Sequence, residues 1–163
     1  MKTDKLMINN TNSMRLSKRE RIVYYTVFLI LFLSGVIWLV LHYLCNSVGE
    51  FGIMSHPLES KMLCIHGFAA FGFAFIFGNI WAMHVKFGIQ KKYKKNFKSG
   101  IINAFLVIIL MITGLLLYYT GSDMLRPTAS TLHWICGILL FIVIVLHILM
   151  GKYRNAKCNN AGY

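Results

Sequence analysis

The chain has 163 residues, of which 57% are hydrophobic, with a mean hydropathy of +0.61 and a formal net charge of +12. This apolar share is well above the usual value for a soluble domain, which excludes an ordinary soluble fold. The positive charge alone would suit a nucleic-acid partner, but the basic residues cluster beside apolar segments, which excludes that class of function.

Four apolar stretches follow one another along the chain, and each has about the 20 residues needed to cross the hydrocarbon core of a bilayer. They comprise residues 22–45, 62–85, 101–120 and 131–150. Backbone polar groups must be satisfied internally inside a membrane, so helices are expected. The sequence therefore predicts an all-α fold, a membrane-embedded four-helix bundle over residues 22–150, flanked by tails at 1–21 and 151–163.

The first stretch follows a basic region, as the core of a secretory signal would. Signal cores have only about 7–15 apolar residues and end at a small-residue cleavage site, which this stretch lacks. We therefore expect a helix that is retained in the protein.

The basic residues lie almost entirely on one side of the predicted topology. Fifteen of the 17 Lys and Arg residues precede the first stretch, fill the connection between the second and third, or follow the fourth. Lys61 and Arg126 fall in the other two connections. Because cytoplasmic loops collect Lys and Arg, both termini are predicted to be cytoplasmic. The cluster at residues 86–98 would also contact anionic lipid headgroups.

Four histidines lie in two of the stretches, His66 and His84 in the second, His133 and His147 in the fourth. The first two are 18 residues apart, and at roughly 100° per residue this spacing returns to the same helical face. The other two are 14 residues apart, which falls about 40° short of whole turns. Each helix is therefore predicted to present two imidazoles, one near each end, and polar groups inside a membrane are usually functional.

The second and fourth stretches run in the same direction, so His66 and His133 share one depth near the outer face, and His84 and His147 share another near the inner face. Their separations along the helices are roughly 27 and 21 Å, a difference that helix tilt can absorb. We predict that these four residues are the axial iron ligands of two non-covalent b haems. A zinc site would gather several ligands around one ion, and the histidines on each helix are too far apart for that. The alternative is that each histidine is a solvated or hydrogen-bonded structural residue.

Two further residues are candidates for contact with the cofactor. Gly137, one turn after His133, would let a porphyrin approach closely, or it packs against a neighbouring helix. Arg126 is a candidate partner for a haem propionate, or its side chain snorkels to the interface. Two axial imidazoles leave no open position on the iron, which favours electron transfer over oxygen chemistry.

The outer ends of the first two stretches carry two more histidines and two cysteines. His42 is a candidate for an interfacial or quinone-side role, whereas His56, before Pro57, is expected to be an exposed loop residue. A Cys45–Cys64 disulfide is an alternative to two free thiols. No Asp or Glu lies within the four apolar stretches, so a proton-pumping relay is not expected.

The segment His133-Trp134-Ile135-Cys136-Gly137, followed by His147, resembles the last core helix of four-helix bacterial b-type cytochromes. It is similar to the membrane cytochrome b subunits of respiratory formate dehydrogenase and nickel–iron hydrogenase, and to small stand-alone cytochromes b. Ser99-Gly100 and Thr113-Gly114-Leu115 fit the third helix of these families.

This resemblance covers the second to fourth stretches and implies two b haems, a place in the bacterial inner membrane and electron exchange with quinone. It implies that His133 and His147 are ligands on the fourth helix and His66 the outer ligand on the second. In the dehydrogenase-type subunits the inner haem takes a ligand from the first helix. No histidine lies in the inner half of that stretch here, so His84 is assigned to this place.

Together these features predict transmembrane electron transfer by a diheme b-type cytochrome, between an outer-face redox partner and quinone or another inner-side acceptor. The chain shows no separate catalytic domain, which favours a subunit of a larger respiratory complex over a complete enzyme. The alternatives are a stand-alone cytochrome b oxidoreductase and a cofactor-free four-helix membrane anchor or assembly protein.

Overall fold

The structure is a computed structural model, and it describes residues 17–45, 47–49, 52–86 and 97–160. These residues form four helices and two short strands: α1 (Lys18–Leu44), β1 (Ser47–Gly49), β2 (Gly52–Met54), α2 (Pro57–Ile80), α3 (Phe97–Tyr119) and α4 (Leu125–Asn160). All four helices are long and apolar enough to cross a membrane. The predicted all-α fold of four membrane-spanning helices is therefore confirmed, and the cytoplasmic placement of both termini stays a prediction.

The chain divides into two compact units, Met1–His84 and Val85–Tyr163. Unit 1 contains α1, the two strands and α2, and unit 2 contains α3 and α4. In each unit the two helices are antiparallel and pack along their length. The core of each unit lies in this seam between its helices.

Side-chain caps fix where the helices of unit 1 begin. The Ser17 hydroxyl accepts the Glu20 N–H at 3.2 Å, and the Glu20 carboxylate accepts the Ser17 N–H at 2.8 Å, which forms a capping box at the start of α1. At the start of α2, His56 Nδ1 accepts the Leu58 N–H at 3.2 Å, and Pro57 occupies the first turn. His56 is thus a half-buried helix cap rather than the exposed loop residue that was expected.

Each helix begins before the apolar stretch that predicts it. α2 begins at Pro57 and not at residue 62, and α4 begins at Leu125 and continues to Asn160 through most of the predicted tail. An apolar stretch marks only the part of a helix that crosses hydrocarbon, whereas backbone hydrogen bonding continues into the polar flanks. One consequence is that the first turn of α2 includes Glu59, an acidic residue that lay outside the predicted stretches.

The connection between α1 and α2 contains an antiparallel pair of three-residue strands, which the sequence did not predict. Ser47 lies opposite Met54, and Gly49 lies opposite Gly52. Gly52 has a φ of +111°, a backbone conformation that side chains other than glycine rarely adopt. We call this end of unit 1 the hairpin end. It corresponds to the predicted outer face.

A π-helical turn, Trp81–Val85, follows α2 and contains His84. Such turns hold more residues than an α-helical turn, so the side chains beyond them are rotated relative to a regular α-helix. The prediction that His66 and His84 share one face assumed an uninterrupted α-helix over 18 residues, and this assumption is wrong.

The outer surfaces of the helices are strongly apolar. Phe68, Phe71 and Phe75 follow one another at helical spacing on α2 and are 79%, 83% and 81% exposed. Such residues are favourable in contact with lipid, so this surface is what a multi-pass membrane protein requires. Cys45 and Cys64 are free thiols, so the alternative of a disulfide between them is not realised.

Candidate functional site

His66 on α2 is fixed by the backbone of α1. Its Nδ1 lies 3.0 Å from the carbonyl oxygen of Leu31 and 3.3 Å from the Ser34 hydroxyl oxygen. A carbonyl oxygen can only accept, so Nδ1 carries the proton in this bond. The Ser34 hydroxyl donates to the same carbonyl at 3.0 Å and is buried. The tautomer and orientation of this imidazole are therefore set by α1.

His133 on α4 is held in the same way by α3. Its Nδ1 lies 2.8 Å from the hydroxyl oxygen of Thr113, which is buried. That hydroxyl donates its proton to the Ile109 carbonyl at 2.9 Å. With its proton donated to this carbonyl, the threonine oxygen can accept a hydrogen bond from Nδ1 of His133.

His147 on α4 is held by a hydroxyl group of α3 in the same way as His133, further along the helix. Its Nδ1 lies 2.8 Å from the hydroxyl oxygen of Ser99 on α3. Ser99 and Thr113 are 14 residues apart, and so are His133 and His147. Equal spacings on antiparallel helices place the two hydroxyl–imidazole pairs in one register, about 21 Å apart along the seam.

A glycine follows each of the three hydroxyl residues, and each lies against the imidazole. A Cβ built on Gly35 would lie 3.0 Å from Cε1 of His66. The corresponding distances are 3.4 Å from Gly114 to Cε1 of His133 and 3.6 Å from Gly100 to Cε1 of His147. The absence of a side chain lets each ring approach the neighbouring helix closely enough for Nδ1 to reach its acceptor.

This donor set would suit histidines that hold a haem iron. Histidines that bind a metal usually donate their other ring N–H to a carbonyl or hydroxyl oxygen, which fixes the ring and raises its basicity. A neutral imidazole with its proton on Nδ1 has its lone pair on Nε2, the form that coordinates iron. The oxygens that lie against Nδ1 of His66, His133 and His147 are the partners that suit this form.

The fourth predicted ligand and the predicted pairing are not tested by the structure. The backbone of His84 lies in the π-helical turn, and its side chain lies outside the described residues. His66 and His133 belong to different units, as do His84 and His147. Their pairing across a shared cofactor therefore stays a prediction.

The two accessory residues lie on α4. A Cβ on Gly137 would lie 4.0 Å from Cδ2 of Leu110 on α3, so within unit 2 this glycine faces the helix seam. The backbone N–H of Arg126 donates to the Ser122 carbonyl at 3.1 Å, and its side chain is exposed in the first turn of α4. Contact of either residue with a cofactor stays a prediction.

Sequence reasoning missed the role of the hydroxyl–glycine pairs. Ser99-Gly100 and Thr113-Gly114 were noted only as part of a family resemblance, and Ser34-Gly35 was not noted. The signal was present, because a Ser or Thr directly before Gly occurs once in α1 and twice in α3, and the α3 spacing equals the histidine spacing. The partner of His42 was also missed, since Glu59 lies 17 residues away on another helix.

Comparisons of the chain with family models, with curated proteins and with solved structures found no match. The fold and the histidines define a class, namely multi-pass four-helix membrane proteins whose imidazoles are hydrogen-bonded to hydroxyl–glycine pairs on the neighbouring helix.

Proposed function

We propose that the protein is a diheme b-type cytochrome that transfers electrons through the bacterial inner membrane. The observation that supports this most is the common anchoring of His66, His133 and His147, each through Nδ1 to an oxygen of the preceding helix. Three half-buried imidazoles, each held by an oxygen of the neighbouring helix, are costly in an apolar bundle unless they have a function.

The haem iron, when bound, supplies a one-electron carrier. The work of the chain is to bind and orient it. His66 and His133 are the proposed ligands near the outer face, with His147 and His84 near the inner face. The Leu31 carbonyl and the Thr113 hydroxyl fix the first two rings, so that the ligands lose little rotational freedom on binding.

Ligation by two imidazoles also supports electron transfer as the reaction type. Two imidazoles on one haem iron would leave no open coordination position for oxygen or substrate. The two levels of histidine on α4 are about 21 Å apart along the helix, which suits two carriers at different depths. We propose that one exchanges electrons with an outer-face partner and the other with quinone or another inner-side acceptor.

The distribution of basic residues supports the orientation. Fifteen of the 17 Lys and Arg residues would face the cytoplasm if both termini do. The chain would then act as the membrane subunit of a larger respiratory complex, with a stand-alone cytochrome b as the second arrangement.

A haem count tests the proposal. Protein purified in mild detergent should show a b-type reduced-minus-oxidised spectrum, with two haems per chain by acid extraction. A matched control is His56→Ala, which removes a histidine that caps α2 and should leave the haem content unchanged. A colourless product would contradict the proposal and favour the cofactor-free anchor. Co-purification of another redox protein would favour the subunit over the stand-alone cytochrome.

A further inference from the structure

A pair of polar side chains lies on the surface of unit 1, at the end opposite the hairpin. The Asn79 amide Nδ2 on α2 donates to the Tyr24 hydroxyl oxygen on α1 at 3.1 Å. The asparagine is exposed and the tyrosine half-buried, so this bond lies on the outside of the two helices. Because the hydroxyl oxygen accepts from Asn79, its own proton is left to donate, and none of the described residues accepts it. A donor beside hydrocarbon is costly when nothing accepts from it, so this position favours a ligand that accepts a hydrogen bond.

Positive charge lies directly beyond this polar pair. Arg21 precedes Tyr24 by three residues on α1, which places it about 4.5 Å further along the helix axis. Its side chain is exposed, and among the described residues it has no ion-pair partner. The acidic residue of the first turn, Glu20, is bonded to the Ser17 N–H in the capping box. Arg21 is therefore available to an anionic group at a level just outside the Tyr24 hydroxyl.

A row of apolar rings continues from Asn79 in the other direction, towards the hairpin. Phe75, Phe71 and Phe68 precede this asparagine by four, eight and eleven residues, a spacing that keeps them on its face of α2. All three rings are strongly exposed, and we call them the phenylalanine ridge. From Asn79 to its far end the ridge extends about 16 Å along the helix. The hydrocarbon of one leaflet is about 15 Å deep, so the ridge has the length of a lipid acyl chain.

These three features follow the order of the groups in a glycerophospholipid. Such a lipid has an anionic phosphate outermost, then ester oxygens that accept hydrogen bonds, and then acyl chains within the hydrocarbon. The surface of unit 1 offers a cation at Arg21, a hydrogen-bond donor at Tyr24 and then the phenylalanine ridge. General attraction between basic residues and an anionic membrane surface would account for the cation alone. The neutral polar pair and the ridge therefore favour one bound lipid over a diffuse contact.

From this geometry we infer that unit 1 has a binding site for one anionic glycerophospholipid at the end opposite the hairpin. Arg21 pairs with the phosphate, the Tyr24 hydroxyl donates to an ester oxygen, and Asn79 fixes the tyrosine. One acyl chain lies along the phenylalanine ridge. The site is separate from residues 86–98, for which only a contact with lipid charge was predicted. It contains none of the proposed haem ligands and does not depend on the proposed function.

Retention of a defined lipid tests this site. The full chain in mild detergent is titrated with phosphatidylglycerol, and native mass spectrometry counts the lipid molecules that stay bound. Tyr24→Phe removes only the hydroxyl and should weaken binding at least about threefold, the equivalent of one neutral hydrogen bond. Arg21→Gln should weaken binding about tenfold, because a hydrogen bond between charged groups is lost. Phosphatidylcholine, whose headgroup has no net charge, and a short-chain phosphatidylglycerol should both bind more weakly than the long-chain anionic lipid.

Tyr25→Phe and Arg19→Gln are the matched controls, because they make the same changes at nearby exposed positions on other faces of α1. Both should bind phosphatidylglycerol as the unchanged protein does. Full binding in Tyr24→Phe would overturn the inference, and so would equal losses in Arg21→Gln and Arg19→Gln, since the attraction would then be diffuse. Equal affinity for the short-chain lipid, or no lipid retained by the unchanged protein, would also overturn it.

Discussion

Both units hold histidines through oxygens of the neighbouring helix, but the spacing of these pairs is more regular in unit 2 than in unit 1. Unit 2 holds two histidines with two hydroxyls at matched 14-residue spacings, and α3 and α4 are joined by five residues. Unit 1 holds His66 with a backbone carbonyl and a serine, and its helices are joined by a β-hairpin connection. Its second proposed ligand, His84, lies in a π-helical turn. Regular helical periodicity therefore applies along the histidine-bearing part of α4, whereas in unit 1 it is interrupted at the π-helical turn.

The strongest test of this comparison is to remove the proposed ligands one at a time. His133→Ala and His66→Ala should each abolish the outer haem and leave one b haem per chain, because an axial ligand is lost. His147→Ala and His84→Ala should each abolish the inner haem. Haem content and reduced-minus-oxidised spectra measure this.

His84 differs from the other three proposed ligands because it lies in the π-helical turn. If the π-helical turn directs His84 away from the inner haem, His84→Ala would keep both haems while His147→Ala loses one. That result would contradict the assignment of His84 and leave the other three standing. Two haems in every single variant would contradict the whole ligand set.

Replacing the glycines beside the imidazoles by alanine should give a series of graded effects on haem content and stability. A methyl group on Gly35 would meet the His66 ring at 3.0 Å, on Gly114 the His133 ring at 3.4 Å, and on Gly100 the His147 ring at 3.6 Å. Overpacking of this kind costs about 1–3 kcal/mol where the neighbour cannot move. Gly35→Ala should therefore reduce haem content and thermal stability most, and Gly100→Ala least.

Gly78→Ala is the control for this series, because none of the described residues has an atom within 4 Å of the added carbon. Alanine in a helix is favoured over glycine by about 1 kcal/mol, so this variant should be as stable as the unchanged protein or slightly more so. Equal thermal midpoints for Gly35→Ala and Gly78→Ala would show that His66 does not lie against Gly35.

Removing the hydroxyl groups beside the imidazoles should have the smallest effect on the haems. The effect should also differ between the two units. Thr113→Val keeps the shape of the side chain but removes the acceptor of the His133 Nδ1–H. The less basic imidazole should stabilise ferric iron less, so the midpoint potential of its haem should rise by about 20–60 mV, the equivalent of one hydrogen bond. Ser34→Ala should have less effect, because the Leu31 carbonyl still accepts from His66.

A spectroelectrochemical titration measures these potentials, and Thr113→Ser should restore the original value because it restores the hydroxyl. A rise in Ser34→Ala as large as that in Thr113→Val would mean that the Leu31 carbonyl does not hold His66. The same potential in Thr113→Val and the unchanged protein would remove the positioning role of the threonine.

Much of the fold could be predicted because the physics of a membrane is restrictive. About 20 apolar residues without internal charge can cross a bilayer in few ways, so four such stretches predict four helices. The ends of those helices could not be predicted, since they depend on local caps such as Ser17–Glu20 and His56. The hairpin strands and the π-helical turn depend on a few residues each and leave no periodic signal.

The candidate site could also be predicted only in part. The histidines were visible because imidazoles are rare and costly among apolar residues. Their partners were not, because a serine before a glycine in an apolar helix is equally consistent with plain helix packing. Glu59 lies before the second apolar stretch, although it belongs to the same helix as His66.

The sequence by itself determined that this is a multi-pass membrane protein with imidazoles at two levels, because hydropathy and residue type act locally along the chain. Only the tertiary structure decided which oxygen holds each imidazole, which ring nitrogen of His66 and His133 meets that oxygen, and that His42 is paired with Glu59. Those facts depend on two helices meeting at a given register and distance, and a hydrogen bond exists only where both partners reach the same point.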